Sequence, residues 1–250
     1  MAIDRLQNKT ALITGATSGI GKACALALDA LGVNLILTGR SQEKLDAVAK
    51  ELKGQTTLIE LDVRDRATVE AKLADLNVDI LINNAGLALG LEPIDSGSID
   101  QWEEMIDANL KGLLYVSRAV IPGMRARNQG HIVNLGSIAG RMEYPGGNVY
   151  CATKHAVHSL SRSMNIDLAD TAIRVSNIAP GAVETEFSNT RFSGDRARAK
   201  SVYAGYKPLH AEDIADLIVY VLNAPPHVNI QDALIMPTAQ RNPYVLHRES

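Results

Sequence analysis

The sequence predicts an α/β domain built on a mainly parallel sheet with helices covering both faces. Three observations carry that expectation. Short β-rich apolar runs alternate with helix-period segments along all 250 residues, the pattern of strand–helix–strand units whose strands are buried on both sides. The first run passes directly into the turn Gly15-Ala-Thr-Ser-Gly19-Ile-Gly21, which opens a helix. No repeat, low-complexity tract or linker divides the chain, so residues 1–250 read as one domain.

Taken in order, residues 10–14 form a buried strand. A helix follows the glycine turn, with Ala23, Leu26, Ala27, Ala30 and Leu31 at helical spacing and Gly32 as its stop. Residues 33–37 make the second strand and 42–52 the second helix, with Ser41 as its N-cap. The third strand is 57–61. Asp65 caps a helix reaching about residue 74, and 79–82 is the fourth strand. After Asn83-Asn84-Ala85-Gly86 a long loop leads to a helical region from 101 to about 120, which Pro122 and Gly123 should kink or end. Residues 131–135 are the fifth strand, the helix carrying Tyr150 follows, and 174–178 are the sixth. The segment 182–208 has no clean period and reads as a flap or a surface excursion. A helix over 212–223 and a short strand over 233–236 precede a tail, 237–250, more apolar than a disordered terminus usually is.

A net charge of −3 leaves no basic footprint for nucleic acid or an anionic membrane. The first residues are too charged for a secretory signal, and Asp29, Gly32 and Asn34 interrupt the longest candidate for a membrane span. Cys24 and Cys151 are far apart, form no metal-type cluster and read as reduced thiols. The expectation is a soluble cytoplasmic protein without a metal.

Three stretches carry chemistry. Gly15, Gly19 and Gly21 let a backbone turn tightly and approach a pyrophosphate, while the helix start offers unpaired N–H groups and a positive dipole end. The spacing is Gly-x-x-x-Gly-x-Gly; a turn needed only for close packing is the bland alternative. At the end of the second strand stands Thr38-Gly39-Arg40-Ser41, with no acid to hold a ribose 2′-hydroxyl and a guanidinium able to grip a 2′-phosphate. That favours NADP(H) over NAD(H), unless Arg40 is merely solvated. Finally, Tyr150 and Lys154 lie one helical turn apart, so the ammonium would sit beside the phenol and lower its pKa towards a usable acid–base range.

Together these residues resemble the short-chain dehydrogenase/reductase family over nearly the whole chain. The resemblance rests on 14–21, Asp62-Val63, 83–86, Asn109, Gly130-His-Ile-Val-Asn134, Ser137, Tyr150-x-x-x-Lys154 and Pro180-Gly181. It implies a single-domain, Rossmann-type doubly wound sheet of about seven parallel strands and a bound nicotinamide cofactor. It further implies that Tyr150 is the acid–base, that Lys154 lowers its pKa and touches the nicotinamide ribose, that Ser137 binds the reacting oxygen, and that Asn109 holds a water in a relay to Lys154. By the same resemblance Gly15, Thr17, Ser18, Gly19, Ile20 and Gly21 receive the cofactor, with Arg40 and Ser41 beyond them. Asp62 and Val63 contact the adenine, Asn84, Ala85 and Gly86 the ribose side, and Pro180, Gly181, Val183 and Thr185 the nicotinamide end. Singly, Ser137 could cap a turn and Asn109 could satisfy buried backbone.

Within the family, loop motifs at 83–90, 144–150, 186–192 and 227–230 resemble those of NADP-dependent 3-hydroxy acid (serine) dehydrogenases. The implied reaction interconverts a small 3-hydroxy acid and its 3-keto acid; the alternative is reduction of another carbonyl, such as a 3-oxoacyl thioester, a sugar or a diketone. A cofactor-binding protein without catalysis would be expected to lack Tyr150 or Lys154. Ser41 stands where the resemblance often places a second arginine, and Arg141 and Met142 replace smaller or aromatic residues. An acid substrate needs a cation, for which Arg191 and Arg141 are the candidates, Arg191 being counted with Ser137 and Tyr150 as the expected substrate residues. The family usually forms homotetramers through its fourth and fifth helices, and the tail is expected to dock on a neighbouring subunit.

Overall fold

The computed structural model describes residues 5–192 and 194–249; residues 1–4, Ser193 within the flap segment and Ser250 at the tail's end lie outside the described residues. Seven strands make one sheet: β1 (Thr10–Thr14), β2 (Asn34–Gly39), β3 (Thr56–Glu60), β4 (Ile80–Asn83), β5 (Gly130–Leu135), β6 (Ile173–Pro180) and β7 (Asp232–Ile235). Their order is β3-β2-β1-β4-β5-β6-β7, with every pairing parallel. The chain steps outward from β1 to β3, then returns across β1 to β4. The strand order therefore reverses at β1, and a crevice opens there beyond the strands' carboxyl ends.

The helices among the described residues are α1 (Gly19–Asp29), α2 (Gln42–Ala49), α3 (Arg66–Leu73), α4 (Ile99–Ile106), α5 (Leu113–Ala126), α6 (Asn148–Asp167), α7 (Phe187–Arg191), α8 (Arg196–Ser201) and α9 (Ala211–Leu222). Side chains alternate across a strand, so an apolar run feeds two cores at once. Ile13, Leu35, Leu37, Ile82 and Val133 pack with Leu28 of α1, Leu45 of α2 and Ile218 of α9. Their sequence neighbours Leu12, Ile36, Leu81 and Ile132 face the other way, against Leu73 of α3 and Val116, Val120 and Met124 of α5. Caps end the helices where the sequence suggests: Asp65 accepts from the Thr68 N–H at 3.1 Å and Ser41 from that of Lys44 at 3.3 Å.

The expectation for Pro122 is corrected. The helix neither breaks nor stops there; α5 runs through it to Ala126. A proline inside a helix costs ~3 kcal/mol or more. Pro122 is exposed, as is Arg118, whose carbonyl a proline four residues on leaves without its helical N–H donor. On the opposite face Val116, Val120 and Met124 are almost fully buried, at ~1.5–3 kcal/mol each. Burial wins over the local preference. Upstream, α4 passes into α5 through one wide π-type turn, Asp107–Gly112.

The flap segment holds α7 and α8, and a parallel bridge between Val183 and Leu209 ties its two ends together. Within this chain the tail folds back on its own body. Arg248 donates to the Val202 carbonyl at 3.2 Å, Glu249 N to Gly205 at 2.6 Å, and the Tyr244 hydroxyl to the Glu143 carbonyl. Tyr244 and Val245 stay exposed. Among the described residues no helix is long and apolar enough to cross a membrane.

Candidate active site

A cavity of about 310 Å³ runs along the carboxyl ends of the strands. Each strand from β1 to β6 delivers wall residues as it ends: Gly15 after β1, Arg40 after β2, Asp62 after β3, Asn84 after β4, Ser137 after β5 and Gly181 after β6. Thr17, Ser18, Gly19, Ile20, Val63, Ala85 and Gly86 complete the outer part, and Tyr150, Lys154, Pro180, Val183 and Thr185 the inner part. The sequence thus named residues that the fold gathers into one crevice. Four others stand outside its lining: Gly21, Ser41, Asn109 and Arg191.

The turn at the mouth of β1 is shaped for an anion. Gly15 has φ +65°, and a Cβ on Gly21 would lie 2.4 Å from the Gly15 carbonyl oxygen. Gly21 is therefore a packing residue that lets α1 close on the turn. Asn84 braces the turn by donating to Thr14 O at 2.9 Å and Gly15 O at 3.0 Å, while Thr14 Oγ1 accepts from the N–H groups of Asn84 and Ala85, both at 3.0 Å. Ser18 makes no side-chain cap, and the first turn of α1 carries no acid. Free amides, a positive dipole end and absent Cβ atoms are what a pyrophosphate requires, so the residues present fit a dinucleotide.

At the inner end, Tyr150 and Lys154 share a face of α6. Lys154 Nζ lies 5.9 Å from the Tyr150 ring centre and donates to Leu135 O at 2.8 Å. Both side chains are buried. Burial lowers Lys154 to about 8. Burial also raises the Tyr150 phenol, aided by Tyr144; hydrogen bonding to Ser137 and the charge of Arg191 oppose it without prevailing. The expectation of a phenol acidified by Lys154 is thus reversed among the protein's own groups: desolvation outweighs the neighbouring charge.

Ser137 accepts from the Ala139 N–H at 3.1 Å, so it caps the short 3₁₀ turn Ile138–Gly140 while lining the cavity. Asn109, inside the π-type turn, accepts from Leu87 N at 2.8 Å and donates to Leu87 O at 2.8 Å and Thr153 Oγ1 at 3.1 Å. Its side chain is a clamp on the Gly86–Leu87 backbone: a Cβ on Gly86 would lie 2.8 Å from Asn109 Oδ1 and 3.8 Å from Lys154 Nζ.

The two candidate arginines part company. Arg141 pairs with Asp232 of β7 at 2.5 Å, so its charge already has a carboxylate partner, although its Nε is buried without a hydrogen-bond partner among the described residues. Arg191 lies with its guanidinium carbon 5.4 Å from the Tyr144 ring centre and 5.6 Å from that of Tyr150. Its Nε donates to Gly90 O at 3.2 Å, and Gly90 N donates back to Arg191 O at 3.1 Å. Nη2 is buried without a hydrogen-bond partner among the described residues. Sequence reading missed Phe187, 5.8 Å from the Tyr150 ring, and Arg64, which lines the outer end. The charge alternation Asp62-x-Arg64 at a strand end was the available sign of the latter.

The short chain dehydrogenase family model matches residues 9–196. The chain belongs to that family. It is 48% identical over 235 residues to an NADP-dependent 3-hydroxy acid dehydrogenase of Escherichia coli K12, covering 92% of this chain and 95% of the relative. It is 44% identical over 237 residues to sulfoacetaldehyde reductase 2 of Chromohalobacter salexigens, covering 92% and 94%. Among solved structures, the closed form of a serine dehydrogenase complexed with NADP+ superposes with a TM-score of 0.92 at 46% identity, covering 96% of this chain and all of that one.

Proposed function

We propose that the protein is an NADP-dependent oxidoreductase that interconverts a small, serine-like 3-hydroxy acid and its 3-keto acid. The observation that carries the substrate class is the buried, unpartnered Nη2 of Arg191 beside the Tyr150 ring. A buried guanidinium nitrogen without a partner is costly, and a substrate carboxylate would satisfy it. The identities above, to proteins named for NADP and for 3-hydroxy acids, support the same reading.

The roles follow from position. When bound, the nicotinamide gives or takes the hydride. Tyr150 stays protonated at neutral pH and gives its proton to the carbonyl oxygen on which charge develops, while Ser137 holds that oxygen. Lys154, hydrogen-bonded to Leu135 O, supplies charge behind the phenol. Asn109 keeps the Gly86–Leu87 backbone beside Lys154, and the relay water assigned to it would join that assembly. Arg40 faces the 2′-phosphate end. Solubility in the cytoplasm and a homotetramer belong to this reading; light scattering of the purified protein reports the latter, and a monomer rejects it.

The experiment is a spectrophotometric screen with NADP(H) and NAD(H) against L- and D-serine, 3-hydroxypropionate, 3-hydroxybutyrate, uncharged alcohols, 3-oxoacyl thioesters, sugars and diketones, repeated for Arg191→Ala. The reading expects turnover of the acids to dominate and their KM to rise ~10-fold or more in the variant, as for loss of a charge-assisted pair. Equal turnover of thioesters, sugars or diketones, with hydroxy-acid KM unmoved, favours the alternative substrates instead.

A further inference from the structure

The outer end of the cavity contains a second cation. Arg64 lines it alongside Arg40, yet the two guanidiniums are held very differently. Arg40 is exposed, and its nearest ionic partner is Glu104 Oε1 at 4.0 Å. Arg64 meets the same oxygen at 3.0 Å and also grips Asp62, with Nη2–Oδ2 at 2.6 Å and Nε at 3.0 Å from both carboxylate oxygens. Burial would raise the Asp62 carboxyl, but the hydrogen bonds and charge of Arg64 outweigh it and hold it below its ordinary value.

A guanidinium has five N–H groups in a fixed fork. The contacts of Arg64 among the described residues engage Nε, one N–H of Nη1 and one of Nη2, which leaves an N–H on each terminal nitrogen. Glu104, from α4, places one carboxylate oxygen against both arginines. An ion pair this exposed to water is held weakly. We propose that Arg64 is the second cation of the 2′-phosphate site, standing in for the arginine absent at Ser41, and that Glu104 is an internal anion with which a 2′-phosphorylated adenosine competes. This rests on the NADP reading above and deepens it. Arg64 is pre-oriented by Asp62, so it meets a phosphate with two N–H groups already aimed by its own fork; Arg40 contributes a mobile charge.

The test is equilibrium binding, measured calorimetrically with NADP⁺, NAD⁺, 2′,5′-ADP and 5′-AMP. In Arg64→Gln the preference for NADP⁺ over NAD⁺, and for 2′,5′-ADP over 5′-AMP, should fall by about 10-fold, roughly one charge-assisted contact. Arg64→Lys should recover part of it. In Glu104→Gln both 2′-phosphorylated ligands should bind more tightly and the other two unchanged, a gain that misfolding cannot imitate. If Arg64→Gln weakens all four ligands by one factor, Arg64 merely supports Asp62 and the proposal falls. So it does if Glu104→Gln leaves 2′,5′-ADP binding unmoved. A wild-type protein that binds NADP⁺ and NAD⁺ equally removes the NADP reading itself, a result separable from the other two.

Discussion

The two ends of the cavity are made of opposite physics. At the inner end Tyr150 and Lys154 are almost wholly buried, and desolvation is the first cause of both pKa shifts. At the outer end Arg40, Arg64, Asp62 and Glu104 are partly exposed and hold one another as ion pairs. Position in the sheet explains the difference. β5 is an inner strand under α6, whereas β3 is one of the sheet's two edge strands and is partly exposed. An end that must govern a proton profits from low dielectric, where small geometric changes act strongly. An end proposed to admit and release a dianion profits from exposed pairs that exchange partners readily.

The largest effect that can break this contrast is at the inner end. Tyr150→Phe removes the proposed proton donor and should lower turnover by about 10²–10⁴-fold, the range for a positioned acid–base. Binding of NADP⁺, followed by fluorescence or calorimetry, should stay within about threefold because the outer end is untouched. Near-normal turnover would take the acid–base role away from Tyr150.

The pH dependence comes next. Lys154, depressed by burial to about 8, is an ammonium below that pH and loses its charge above it. On the proposed mechanism carbonyl reduction needs that charge behind Tyr150, so its kcat should decline above about pH 8, approaching tenfold per unit. Tyr150 itself, raised by burial, does not contribute the fall. Lys154→Arg keeps the charge and should abolish the decline if the variant retains turnover. A wild-type profile flat to pH 10 rejects this account of Lys154.

Salt sharpens the comparison from the other side. Exposed pairs are screened with a Debye length of ~10 Å at 0.1 M, and buried ones much less. Raising salt from 0.05 to ~0.5 M should therefore weaken NADP⁺ binding several-fold while kcat at saturation barely moves. Arg40→Ala should flatten that salt dependence. Unchanged slopes would show that Arg40 is only a solvated side chain.

The legibility of the chain divides along similar lines. Strands were readable because runs such as Ala11–Ile13 are apolar on both faces and end at glycine or asparagine, and Asp65 was readable because its cap is local. The cavity's walls were readable because each follows a strand end. The continuation of α5 through Pro122 was not, since it depends on burial by residues distant in sequence. Neither was the fate of Arg141, whose partner Asp232 is 91 residues away, nor the role of Glu104, 40 residues from Arg64. Long-range charge pairing leaves no periodic trace. The π-type turn left only a weak one, in Asn109 and Gly112, both poor helix formers.

Ser41 decides how far the outer end extends, and its effect is the smallest. Sequence reading gave it two roles, cap of α2 and contact to the cofactor. In the structure its hydroxyl accepts from Lys44 N at 3.3 Å and it does not line the cavity. Ser41→Ala should then cost ~1 kcal/mol as a lost N-cap, visible as a drop of ~2–4 °C in Tm for a chain of this size. The affinity ratio between NADP⁺ and NAD⁺ should be unchanged, because the proposed site meets the phosphate with Arg40 and Arg64 instead. If Tm holds and the ratio falls, the hydroxyl belongs to the phosphate site, and the boundary between its two arginines and the helix cap must be redrawn around it.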